Sequence, residues 1–509
     1  MRITRWVLTM GLLPAALAAQ QAPARPAAGA AAGATAREPL RLTLDEAVRR
    51  ALATSDEIRM AQAQVRQAQG QVTQAWASAL PEIRGVLTYQ RTFASIYSNM
   101  GSGGPTIPPF SPDTTASLAD RLRYLETQYD LTVPRGIGEL FSNLPFGRKN
   151  TYVATLTLTQ TLFQGGKVGA GIRGAHAYQR AALATLDDTQ EDLAHRVKLA
   201  YLNALFAQRM VEISEATQAQ VNEHLRTVTV NHRVGATGDY DLLRSQVESA
   251  NQEPQVIQAR NTRETALLEL KRLLNVAVDQ PLELATAALT DADSLPEVDF
   301  AALDAEAPDR SSIEAAEANV DFRRQAVRVY RGDAYPLFKF TMNYGGQALP
   351  SGTFPSSSDF HKDWNATVSV SMPLFDGRRN HGIVEQAQAE LTRAEAQASQ
   401  AREGVAIQVA QARSEMERAR ALVAARRETV GQATRAYHLA DVRYANGIAS
   451  SIEVSDSRLA LQQARVNEAQ STRDYLVAMA GLERALGRPV PLRRPGEHVA
   501  AGAAGAVAP

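Results

Sequence analysis

Two periods alternate along this chain. A period of two occupies four short stretches, and a heptad-like period occupies two very long ones. In 364–372 the even positions are Trp364, Ala366, Val368, Val370 and Met372, and the odd ones are Asn365, Thr367, Ser369 and Ser371. Tyr152, Ala154, Leu156 and Leu158 alternate with Thr155, Thr157 and Thr159. Phe338, Phe340, Met342 and Tyr344 alternate with Lys339, Thr341 and Asn343, and Ile83, Leu87 and Tyr89 do so less cleanly with Arg84, Thr88 and Gln90. Alternation sends one set to each face of a sheet, which predicts strands at about 82–92, 151–162, 337–344 and 364–373. Strands of about nine or ten residues suit a membrane barrel, apolar outward and polar toward a lumen. A half-buried soluble sheet satisfies the same pattern. Four strands cannot close a barrel, and free strand edges invite aggregation, so closure needs several chains. Two chains would supply eight strands with little lumen and three would supply twelve with a usable pore, and the pattern does not choose between them.

Each pair of strands is followed by a long helical stretch, about 167–232 and about 378–444, either of which spans roughly 100 Å at the helical rise. Leu193, Val197, Ala200, Ala204, Ala207 and Val211 are spaced 4-3-4-3-4, and so are Val405, Val409, Ala412, Met416, Ala419 and Val423. This is heptad packing, with residues small enough for close helix approach. Return helices are expected over about 241–274 and 452–486. Shorter helices at about 56–80 and 313–335 stop before Pro81 and Pro336 and line up with them. Pro254, opposite Val466 in the other half, predicts a bend in the first return helix only.

The halves are copies. Leu162-Phe163-Gln164-Gly165 returns as Leu374-Phe375-Asp376-Gly377, Gly235 as Gly447, and Leu274-Asn275 as Leu486-Gly487, all at an offset of 212 residues. Earlier landmarks, Ile58 with Ile313 and Pro81 with Pro336, are offset by 255. The first half therefore carries extra residues between Pro81 and Leu162, including the Gly/Pro/Ser-rich run 101–112. The expected division is a first repeat over 41–276 (helical hairpin 167–275), a connecting segment over 277–308, and a second repeat over 309–488 (hairpin 378–486).

Composition adds limits. Aromatic residues make up 6% of the 509, net charge is +0, and there is no cysteine. That balance favours long packed helices over an enzyme core, implies no nucleic-acid partner, and excludes disulfides and thiolate metal sites. Arg2 and Arg5 precede an apolar run from Trp6 to Leu17 that is too short to span a bilayer and ends in small residues, so 1–19 reads as a signal peptide. Residues 20–40 read as a flexible linker and 489–509 as a disordered tail. The eight histidines stand in no ligand spacing and read as scattered solvent-facing side chains. No catalytic constellation, P-loop or metal motif is present, so neither an enzyme nor a cofactor is expected.

A signal peptide, then twice over a helix, a Pro-started strand, a strand ending L-F-x-G, a long helix, a tip turn and a return helix: this order resembles the TolC-like outer membrane efflux proteins, over about 42–489. The resemblance implies a mainly α fold with a membrane β part. Three chains would join four strands each into a twelve-stranded barrel above a long coiled-coil barrel reaching across the periplasm. It implies a passive export duct in outer membrane lipid. The implied partners are a periplasmic adaptor and an inner-membrane pump of RND, ABC or MFS type, as in multidrug efflux or type I secretion. It assigns adaptor docking to the tips, Arg233, Val234, Gly235 and Ala236 with Arg443, Gly447, Ile448 and Ala449. It assigns an acidic gate ring to Glu453 and Asp456, and a closing link to Tyr444 and Asp241. Ala449 stands where the family often has Arg, whose supposed partner is Tyr240, so a second link is not retained. The other reading of the sequence is a periplasmic coiled-coil scaffold that never inserts in membrane; it would need no lipid-facing sheet.

Overall fold

Thr43 opens the first helix with a capping box, its side chain bonded to the Glu46 N–H while the Glu46 carboxylate returns to the Thr43 N–H. From there the computed structural model, which describes residues 39–94, 111, 113–128, 149–285, 295–300, 310–350 and 352–492, runs through two similar series of elements. The first is β1 (Leu40–Leu42), α1 (Leu44–Thr54), α2 (Asp56–Ala77), β2 (Glu82–Arg91), β3 (Asn150–Gln164), α3 (Lys167–Arg233) and α4 (Asp239–Leu273). The second is β4 (Leu282–Leu284), α5 (Ser311–Gly332), β5 (Leu337–Ala348), β6 (Phe360–Ser371), α6 (Arg379–Ala445) and α7 (Ser451–Leu486). The expected signal peptide, most of the linker, the run 101–110, much of the connecting segment and the tail beyond 492 lie outside the described residues.

α3 and α6 are each 67 residues long. The left-handed backbone positions among the described residues fall into four pairs: Gly165 with Gly377, Gly166 with Arg378, Gly235 with Gly447, and Asn275 with Gly487. Each pair keeps the 212-residue offset. Turns that start and stop helices therefore recur in the same places, set by residues that tolerate positive φ at three of the four pairs in full.

β2, β3, β5 and β6 form one antiparallel sheet in that order. Register puts the alternating apolar residues on one face. Leu156 faces Tyr344, which faces Trp364; Ile83 faces Leu158, which faces Met342; Phe340 faces Val368. A bulge between Thr161 and Phe163 resets the count, so Phe163 joins this face and meets Phe338 edge-on at 6.0 Å. Along the other face Arg84, Thr157, Asn343 and Asn365 stand in one row. Thr157 donates to Asn343 at 2.8 Å and Asn343 to Asn365 at 3.1 Å. Every residue of the outer strands β2 and β6 is exposed, and their outer edges pair with no strand among the described residues.

β5 runs four residues beyond its expected end. Gly345 and Gly346 hide the alternation there. A Cβ at Gly345 would lie 2.3 Å from the Ala154 carbonyl oxygen, so the close approach of β3 requires glycine. β6 begins four residues early, at Phe360, because His361, Lys362 and Asp363 mask the period. The parallel pair β1–β4 has no sequence signal of its own and includes Leu40, the last residue of the expected linker. Tyr201, buried on α3, holds it by donating to the Leu42 carbonyl at 3.0 Å. Val490 is buried and Leu492 bridges to Val298, so the expected tail is ordered through 492. α4 continues without interruption through Pro254.

The heptad positions are the core. Leu193, Val197, Tyr201 and Ala204 of α3 pack with Ala47 and Ala51 of α1 and with Leu270, Leu273 and Leu274. Met416, Ala419 and Val423 of α6 pack with Tyr475, Leu476, Leu482 and Leu486. Where the halves meet, Arg484 of α7 bonds Glu191 at 2.7 Å and Asp188 at 2.8 Å on α3. No helix among the described residues is long and apolar enough to cross a membrane.

Copied positions do not carry equal loads. A Cβ at Gly165 (φ +53°) would meet the Gly332 carbonyl oxygen and the Tyr335 Cβ, both at 2.7 Å, whereas one at Gly377 (φ +64°) would meet nothing within 4 Å. Gly165→Ala adds a backbone clash to left-handed strain and is expected to cost about 2–3 kcal/mol, against about 1 kcal/mol for Gly377→Ala. Thermal unfolding of the two purified variants checks this, and equal melting points would contradict it.

Candidate functional site: the helix tips

Both hairpins turn by the same device. At the first tip Gly235 takes φ +80° and the Ala236 N–H reaches back to the Asn231 carbonyl at 2.9 Å. At the second, Gly447 takes φ +73° and the Ile448 N–H reaches the Arg443 carbonyl at 2.9 Å. These are Schellman caps, in which glycine supplies the left-handed residue and the last carbonyls find donors. Arg233, Val234, Gly235 and Ala236 are exposed at the first tip; Arg443, Gly447 and Ile448 are exposed at the second, with Ala449 half-buried. The apolar tip residues Val234 and Ile448 are 72% and 69% exposed, so each tip carries one uncovered aliphatic side chain.

The tips differ in charge. At the first, His232 Nε2 lies 2.7 Å from an Asp239 oxygen. At the second, Ser450 caps α7 through the Glu453 N–H. The Glu453 carboxylate turns to Arg443, 3.1 Å away across the turn. Asp456, one turn further along α7, is exposed and has no ion pair among the described residues. The two acids placed together by sequence thus differ: Glu453 is compensated within its own chain and Asp456 is not.

Tyr444 and Asp241 are not hydrogen-bonded within one chain. The Tyr444 hydroxyl is buried and has no hydrogen-bond partner among the described residues. Its ring instead lies 5.2 Å from the His224 ring, at a tilt of 52°. His224 Nε2 is 3.2 Å from Ser451 Oγ, at the start of α7. Beside them Arg458 of α7, with a side chain only 5% exposed, pairs with Glu248 of α4 at 2.8 Å, and Ser455 donates to the second Glu248 oxygen at 3.1 Å. Arg458 Nη1 is buried with no hydrogen-bond partner among the described residues. Burial and the adjacent Arg458 push His224 below the ordinary imidazole value, while Glu248, Asp441 and Asp241 pull the other way.

This buried polar group is what sequence reasoning missed. His224 is not one of a scatter of solvent-facing histidines. Thr217, Val221, His224 and Val228 are all buried at a 4-3-4 spacing, so His224 occupies a core position of the heptad seam. Val454, Arg458 and Leu461 do the same on α7. A titratable residue on a seam position was the available signal.

A four-stranded half-sheet with one apolar face, standing on two equal helical hairpins, defines a TolC-like channel subunit rather than an enzyme. The chain belongs to the outer membrane efflux protein family, whose model matches residues 47–276 and 302–488. It is 26% identical over 348 residues to the alkaline protease secretion protein AprF of Pseudomonas aeruginosa, covering 65% of this chain and 69% of that one. It is 24% identical over 346 residues to the cobalt-zinc-cadmium resistance protein CzcC of Cupriavidus metallidurans, covering 67% and 78%. Among solved structures it resembles the outer membrane protein VceC of Vibrio cholerae, with a TM-score of 0.66 at 17% identity over 88% of this chain and 96% of that one.

Removing one partner of a buried ion pair leaves the other uncompensated. Glu248→Gln, which strands Arg458, is expected to destabilise the tip end of the hairpins by about 3 kcal/mol. Hydrogen exchange checks this: protection should fall in 241–256 and 451–461 and stay unchanged around Tyr201.

Proposed function

We propose that the chain is the outer membrane duct of a tripartite efflux or type I secretion system, working as a homotrimer. The observation that carries this reading is the sheet: one mainly apolar face, one mainly polar face, and two outer edges unpaired among the described residues. β6 of one chain pairs with β2 of the next, and three copies close a twelve-stranded barrel whose polar rows line the lumen. A twelve-residue strand spans roughly 40 Å along its own direction, and tilting reduces this to about the thickness of an outer-membrane apolar band. The helices continue the lumen as a coiled-coil tunnel into the periplasm. Cargo moves through it passively, since the sequence holds no P-loop.

The tips are the adaptor's docking surface, with Arg233, Val234, Gly235 and Ala236 on one turn and Arg443, Gly447, Ile448 and Ala449 on the other. The pump behind the adaptor sets the cargo. AprF is named for protease secretion and CzcC for metal resistance, and no feature among the described residues selects between such cargoes. The gate lies just inside the second tip. Tyr444 and Asp241 are its closing link, for which the unpartnered Tyr444 hydroxyl is the available donor. Glu453 and Asp456 are its acidic ring, in which Asp456 contributes most of the field because Arg443 neutralises Glu453.

The test of the assembly is fractionation followed by reconstitution. The mature protein is expected in the outer membrane as a detergent-stable trimer that forms ion-conducting pores in planar bilayers. A soluble periplasmic monomer that never conducts would instead fit a coiled-coil scaffold. In the same bilayers, Asp456→Asn is expected to lower cation selectivity several-fold, and Glu453→Gln to change it less. Reversal potentials under a salt gradient measure both, and an unchanged Asp456→Asn value would remove this residue from the gate.

A further inference from the structure

His224 touches both sides of the second turn from the first hairpin. Its ring packs on Tyr444, the penultimate residue of α6, and its Nε2 is hydrogen-bonded to Ser451, the first residue of α7. No other side-chain contact described above joins α3 to both arms of that turn. We propose that His224 is a positioning residue of the gate: as a neutral ring it clasps the second tip to the first hairpin, and on protonation it lets that tip go. This inference rests on the placement of the gate at the second tip.

The surroundings decide what a proton would do. From α7 the ring faces Arg458, from α4 Glu248 and Asp241, and from α6 Asp441 and Tyr444. Of these acids Glu248 acts most strongly on the ring, yet both its oxygens are already engaged, one by Arg458 and one by Ser455. An imidazolium would be a second cation beside an Arg458 whose Nη1 already lacks an acceptor. It would be buried, since His224 is 7% exposed. A state in which the second tip swings away and wets the ring removes both penalties. Protons therefore favour the released state, which binds them more tightly.

The sign follows from the same direction. The clasped state holds His224 below the ordinary value of 6.5. The clasp is at full strength above that value and weakens as pH falls through it toward the clasped-state pKa. Acidification, and not alkalinisation, opens the gate.

The experiment is single-channel conductance of the trimer in planar bilayers, from about pH 7.5 to about pH 5, where an imidazole titrates. Wild type is expected to gain conductance several-fold on acidification. His224→Gln keeps an amide able to bond Ser451 but does not titrate, and its conductance should not vary with pH. Ser451→Ala, which removes the clasp's partner, should conduct more at neutral pH and respond less to acid. His438→Gln, on an exposed position of α6, should follow wild type. A flat wild-type profile, or a full response retained in His224→Gln, overturns the proposal. If His224→Gln fails to assemble, wild type and Ser451→Ala decide alone. The reversal potential of Asp456→Asn separates the two levels of the argument. A shifted potential with a pH response independent of His224 sinks only the clasp, whereas an unshifted potential sinks the placement of the gate as well.

Discussion

A backbone N–H or C=O left without a partner in hydrocarbon costs several kcal/mol, and among the described residues the outer edges of β2 and β6 have no strand beside them, a condition the proposed membrane setting would not tolerate. Most of the architecture can be understood from this requirement. In the proposed trimer the apolar face of the sheet meets lipid, its polar face meets water, and its edges meet copies of each other. Tilt and strand number then fix a circumference, and the helices below must share that circumference. Small residues along the heptad seam, Ala200, Ala204 and Ala207 on α3 and Ala412 and Ala419 on α6, let the helices stand close enough to do so.

The strands and long helices were legible because their signals are periodic and long. Leu193 to Val211 and Val405 to Val423 are core on both sides of the duplication. Misjudged stretches were those where the signal is chemical or tertiary instead. Gly345 and Gly346 removed the alternation from the end of β5, and at Gly345 the neighbouring strand approaches too closely for a side chain. The Thr161 bulge moved Phe163 onto the apolar face. β1 and β4 are three residues each, and a buried tyrosine, not a pattern, holds them in place.

At the site, the turn chemistry was legible and the electrostatics were not. Gly235 and Gly447 announced the two tips, and the acids near the second tip stood out by spacing. That Glu453 would fold onto Arg443 depends on the width of the turn, and a sequence does not state it. His224, Glu248 and Arg458 come from three helices and meet only when the hairpins pack. Only their seam positions mark His224 and Arg458 in the sequence; together the three form a polar core under the second tip, and the positions 212 residues away, Ala436, Ala460 and Gln246, cannot form its like under the first.

The equal lengths of α3 and α6 also constrain how such a chain can change. Deleting one residue from α3 alone would withdraw its tip by about 1.5 Å and rotate everything beyond the deletion by about 100°, turning His224 off the seam. A compensating deletion in α6 would restore the level of the tips but not the facing of either. Only whole heptads, lost or gained in both copies at once, keep height and facing together. The duplication that built the molecule thereby makes its length nearly incapable of gradual drift, while the stretch between β2 and β3, under no such constraint, is far longer than its counterpart between β5 and β6.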